Sequence, residues 1–142
     1  MEIKLKNIQY AAFASEETDC FHASVWIDGK KAGTVSNDGR GGANLYSPYA
    51  LYMRLRDHCQ SIPPDMEGRK VTPDEIIGNL LDAWMNKREK AKVCKGKTLF
   101  RAPGKPYEPN QWSVMNQPFD ATVKLFLIGR YGSQVEIFNE QI

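Results

Sequence analysis

Between residues 21 and 28 apolar and polar side chains alternate, with Phe21, Ala23, Val25 and Ile27 set against His22, Ser24, Trp26 and Asp28. A repeat of two marks a strand with one face buried. Asp28-Gly29-Lys30-Lys31 supplies turn residues and Ala32–Ser36 runs back, which predicts a hairpin over 20–36. Upstream, Ile3-Lys4-Leu5 and Ile8–Phe13 predict an earlier strand, set off from the hairpin by the acidic loop Ser15-Glu16-Glu17-Thr18-Asp19. These segments begin an antiparallel sheet.

The pattern changes at Asn37-Asp38-Gly39-Arg40-Gly41-Gly42, where three glycines in six residues permit positive φ. Ser47 as a cap and Pro48 in a first turn predict a helix to about Ser61, stopped by Pro63-Pro64. Thr72-Pro73-Asp74-Glu75 is a second helix start, joining an N-cap, a first-turn proline and a capping-box glutamate. Ile76, Ile77, Leu80, Leu81, Trp84 and Met85 then recur on one helical face. Lys90, Lys92 and Lys95 suit the helix's negative end, and Gly96 is a natural stop.

Past the helix, Thr98–Ala102 predicts a short strand, Pro103-Gly104-Lys105-Pro106 a loop, and Gln111–Met115 a further short strand. Val123, Leu125 and Leu127 alternate with Lys124, Phe126 and Ile128, which predicts a strand over Thr122–Arg130. Tyr131-Gly132-Ser133 then turns into Val135–Phe138 as a closing hairpin. The predicted order is β-β-β-α-α-β-β-β. This is an α+β fold, an antiparallel sheet with two central helices, in a single domain over 1–142.

Composition narrows the class. At 142 residues, 42% apolar and 25% charged, the chain suits one folded domain rather than a disordered segment. No apolar run approaches the ~20 residues that span a bilayer, and the opening Met1-Glu2-Ile3-Lys4-Leu5-Lys6 lacks a signal peptide's apolar core. Cys20, Cys59 and Cys94 are odd in number and far apart, which argues against a disulfide framework and for a reducing cytoplasm. The net charge of +2 is uneven: residues 87–105 hold eight bases against Glu89 alone, while 61–86 hold two bases and five acids. A globally basic nucleic-acid binder is thereby excluded, but a local anion site is not.

Catalytic signals are sparse. Only His22 and His58 could serve as imidazole bases. His22-Ala23-Ser24 matches half of the paired His-x-Ser/Thr motif of two-histidine phosphoesterases, and His58-Cys59-Gln60 breaks the pair. Cys20, His22, His58 and Cys59 fit no structural zinc spacing, since adjacent residues on a helix diverge by about 100°. Gly39-Arg40-Gly41-Gly42, between strand and helix, could offer backbone N–H groups to an anion, but it is neither Gly-x-Gly-x-x-Gly nor a P-loop.

The basic stretch Lys87–Lys105 has two readings, a solvated helix end that complements its own dipole or a phosphate-attracting surface beside Trp84 and Phe100-Arg101. A purine nucleotide with a pyrophosphate requires arginine forks and aromatic faces together. Trp84 lies on the apolar stripe, so core packing competes with stacking for it. Tyr49, Tyr52 and Met53 with Arg56 pose the same choice on the first helix, and Arg130 ends an apolar strand before a glycine turn.

The runs Ala11-Ala12-Phe13-Ala14-Ser15-Glu16-Glu17-Thr18, Cys20-Phe21, Ile27-Asp28-Gly29-Lys30 and Val35-Ser36-Asn37-Asp38-Gly39-Arg40-Gly41-Gly42 resemble the first-described anti-Thoeris family. These are small phage-encoded cyclic ADP-ribose sponges. The resemblance covers about residues 3–45, and length and element order fit beyond it. It implies a non-enzymatic protein without cofactor that sequesters glycocyclic ADP-ribose made by TIR-domain proteins and leaves it intact. Pockets would lie between subunits of a homo-oligomer in the host cytoplasm, with an aromatic ring on the base and arginines with an asparagine on the ribose-phosphate. Some members also hold cyclic oligonucleotides at a separate site. Arg40 departs from the family, where histidine is expected. The family's pocket residues map onto no motif here; because a pyrophosphate needs desolvated arginines rather than exposed lysines, residue type nominates Arg56, Arg88, Arg101 and Arg130 for the phosphates and Trp84 or Phe100 as stacker. The alternatives are a phage protein that inhibits a host defence factor by direct protein–protein binding, and a single-stranded nucleic-acid binder using Lys87–Lys105.

Overall fold

A computed structural model describes all residues, Met1–Ile142. The chain forms two compact units, Met1–Asp82 and Ala83–Ile142. In the first, β1 (Ile3–Tyr10), β2 (Cys20–Ile27), β3 (Lys30–Asp38) and β4 (Leu45–Ser47) make an antiparallel sheet in that order. The alternation in β2 is realised on one face, where Phe21, Ala23, Val25 and Ile27 are buried and Ala23 pairs with the buried Val35 of β3; on the other face His22 is exposed but Ser24 is buried too. Helix α1 (Tyr49–Ser61) buries Leu51, Leu55 and Cys59, one residue per turn. Gly33 of β3 lets the β4–α1 junction approach, because a Cβ there would collide with the Ser47 carbonyl oxygen and stand 2.9 Å from Pro48 Cδ.

Two local expectations change here. Ser47 does not cap α1, because it pairs with Thr34 in the fourth strand, and Pro48 takes the N-cap position without a side-chain bond. The first strand stops at Tyr10, and Ala12–Ala14 form a 3-10 turn that leaves Phe13 93% exposed.

Helix α2 (Pro73–Val93) starts where its capping sequence predicts, with Thr72 Oγ1 accepting the Glu75 N–H at 3.2 Å, but the Glu75 carboxylate pairs with Arg69 instead of closing a capping box. Within the first unit it buries Ile77 and Leu81. The boundary between the units, Asp82/Ala83, falls inside this helix.

The second unit carries β5 (Thr98–Arg101), β6 (Ser113–Met115) and β7 (Glu136–Ile137) as a separate antiparallel sheet in the order β6-β5-β7. Residues 122–130, expected as a strand, instead belong to helix α3 (Ala121–Tyr131). Asp120 caps it by accepting the Val123 N–H at 2.8 Å, and Gly132, at φ 91°, ends it. The closing hairpin is therefore absent, and β7 pairs with β5 instead. Phe100, Val123, Leu127 and Ile137 form this unit's core, with Met115, Phe119, Tyr131 and Val135 packed against it. Asn139 fastens the chain end to β5, accepting from Leu99 N–H at 2.9 Å and donating to the Lys97 carbonyl at 3.0 Å. The class is α+β as expected, with four strands before α1 and a helix between β6 and β7. No helix is long and apolar enough to cross a membrane.

Candidate functional site

The glycine loop after β3 uses its amides internally. Gly39 N–H donates to Asn37 Oδ1 at 2.8 Å, Arg40 N–H to Asp38 Oδ1 at 3.1 Å, and Gly41 N–H to Thr18 Oγ1 at 3.3 Å. In return the Gly39 carbonyl accepts from Glu16, Glu17 and Thr18 N–H at 3.1, 2.9 and 3.3 Å. The buried Asn37 completes the knot through Thr18, Gly42 and Asn44. These three N–H groups are engaged by the protein itself, so the loop is a lock on the 15–19 segment rather than an open anion cradle.

The six nominated residues fall into separate places. Arg56 lies on α1 in the first unit, its Nε buried without a partner and its Nη2 3.9 Å from Asp57. Trp84 and Arg88, one turn apart on α2, come together: the Arg88 guanidinium carbon stands 5.2 Å from the Trp84 ring centre. With Lys87, Ala91, Gln141 and Ile142 they bound an open cleft of ≈ 390 Å³. Neither Lys87 nor Arg88 takes part in a salt bridge. Trp84 is half-buried and lines this cleft.

Phe100 is a core residue at 9% exposure, its ring 5.4 Å from that of Tyr131. It shares a small hollow of ≈ 150 Å³ with Arg130, which is exposed and 5.5 Å from the Tyr131 ring. Arg101 serves its own loop. Its guanidinium lies 4.1 Å from the Trp112 ring centre and donates to the Gln111 and Pro109 carbonyls at 2.9 and 2.8 Å. Tyr107 completes the clamp, its hydroxyl oxygen accepting the Ala102 N–H at 3.0 Å and pairing with Ser113 Oγ at 2.9 Å. Those hydrogen bonds pull its pKa down. Lys90 reaches Asn110 Oδ1 at 3.3 Å and the Phe138 ring at 5.9 Å, and its pKa is lowered first by burial and then by the Arg101 charge.

A larger cleft, of ≈ 530 Å³, opens in the first unit between Tyr46, Tyr49 and Tyr52 and the start of α2 at Asp74. Tyr46 donates its hydroxyl to Asp74 Oδ1 at 2.6 Å, and Asn44 N–H reaches Oδ2 at 3.3 Å. Burial and then Asp74 push the Tyr46 phenol well above its usual pKa. Tyr49 and Tyr52 stand out in the sequence, whereas Tyr46 carries no signal there and Asp74 reads only as part of a helix start. The tyrosine spacing was visible; the approach of Asp74, 28 residues on, was not. No three His, Cys, Asp or Glu side chains group as a metal site.

No protein-family model, no curated protein and no solved structure matches this chain significantly.

Proposed function

We propose that this chain is a phage anti-defence protein that captures cyclic ADP-ribose signals of the glycocyclic class and holds them intact, using the Trp84–Lys87–Arg88 cleft. One observation carries the reading: a guanidinium 5.2 Å over an indole, beside a lysine and without acidic partners. That pairing suits a purine base with a pyrophosphate, and the cleft volume of ≈ 390 Å³ lies in the range of small-molecule sites, about 300–1,000 Å³. The resemblance of residues 3–45 to the sponge family supports the same ligand class. Action would be in the host cytoplasm, in a homo-oligomer whose partner subunit completes the pocket. Cyclic oligonucleotides are a further candidate ligand; membrane and bulk nucleic acid are not proposed partners of this cleft.

The test is a thermal-shift screen with cyclic ADP-ribose isomers, followed by heat release and chromatography of the ligand. A tight ligand of the folded state raises the melting temperature. The expected result is a shift, intact ligand on release, and loss of at least about tenfold in affinity in Arg88→Ala with the unliganded melting temperature unchanged. No shift with any isomer at saturation, or a cleaved product, overturns the reading.

Direct inhibition of a host protein is the second reading. It is favoured by the apolar residues Leu125 and Phe126 of α3, which are 71% and 50% exposed. On that reading Arg88→Ala leaves the activity intact.

A further inference from the structure

The cleft of the first unit has chemistry opposite to that of the Arg88 site. Its walls are Tyr46 at the end of the sheet and Tyr49 and Tyr52 in the first turn of α1, with ring centres 5.5 Å (Tyr46–Tyr52) and 5.8 Å (Tyr49–Tyr52) apart. Asp74 is the one charged residue lining it, and no lysine or arginine does. The Tyr46 hydroxyl and Asn44 N–H hold the carboxylate in place. Tyr49 is 69% exposed, so its ring stands in solvent beside the other two rather than packing as core.

A cluster of tyrosine rings beside a fixed negative charge attracts a large, weakly hydrated cation, and quaternary ammonium groups are the usual occupants of such sites. A phosphate would meet Asp74 with no compensating base. We propose that the Tyr46–Tyr49–Tyr52–Asp74 cleft binds a small organic cation of the quaternary or alkylated ammonium class. The site is independent of the nucleotide reading, since it shares no residue with the Arg88 cleft.

Calorimetric titration of the full chain with choline, and with its uncharged isostere 3,3-dimethylbutanol, tests this. Saturable choline binding is expected, with the isostere weaker by about tenfold or more. Tyr49→Ala should weaken choline binding by a similar factor without lowering the melting temperature, because that ring is exposed; Asp74→Asn should do the same to affinity. Sedimentation with phosphatidylcholine vesicles tells a lipid-borne cation from a free one, and Tyr49-dependent binding to either supports the site. Equal binding of the isostere overturns the proposal, as does wild-type affinity in both variants or no saturable binding of choline and vesicles alike.

Discussion

A glycine is replaceable or not according to what its missing Cβ would meet. Gly29 and Gly39 have nearly the same φ, 83° and 82°, and so the same intrinsic cost for an L side chain. A Cβ on Gly29 meets nothing within 4 Å, whereas one on Gly39 collides with the Ala14 carbonyl and sits 3.0 Å from Cys20 Cβ. Gly29→Ala should therefore cost about 1–2 kcal/mol, the left-handed penalty alone. Gly39→Ala should cost clearly more and loosen the 15–19 loop, which urea titration of both variants will show. The glycines of this loop were conspicuous in the sequence, but their role was not. Thr18 Oγ1, which accepts the Gly41 N–H, lies 23 residues away. Only the fold shows that the amides are already engaged.

Helix α3 shows why an alternating pattern misleads. Val123 and Leu127 are buried and Leu125 is exposed, which is a spacing of four, and a period of two contains the same pair. A strand with one buried face would have buried Leu125 as well. The decisive signal was Asp120, whose side chain caps the first turn. Asp120→Ala should lower stability by about 1 kcal/mol, read as a lower urea midpoint at unchanged slope. Helix α2 was legible because cap, stripe and terminal charges agreed, and that agreement also placed Trp84 and Arg88 one turn apart. The remaining nominated residues are spread over α1, β5 and α3, and sequence distance carried no information about which of them converge. Phe100, nominated as a stacker, packs in the core of the second unit with its ring against Tyr131, a contact between residues 31 apart that no local pattern announces.

Across the whole molecule, the division inside α2 is also a division of charge. Residues 1–82 carry nine bases and twelve acids, net −3, and residues 83–142 carry ten bases and five acids, net +5. The near-neutral total conceals an acidic half and a basic half. The proposed anion cleft lies in the basic half and the proposed cation cleft in the acidic one. Such a chain has a colloidal consequence. The acidic half of one molecule attracts the basic half of the next, and nothing in that attraction closes a ring or limits its length. Light scattering at neutral pH should therefore give a negative second virial coefficient in about 10 mM salt, rising as added salt shortens the screening length from about 30 Å toward 8 Å. The protein would dissolve better in salt than in dilute buffer.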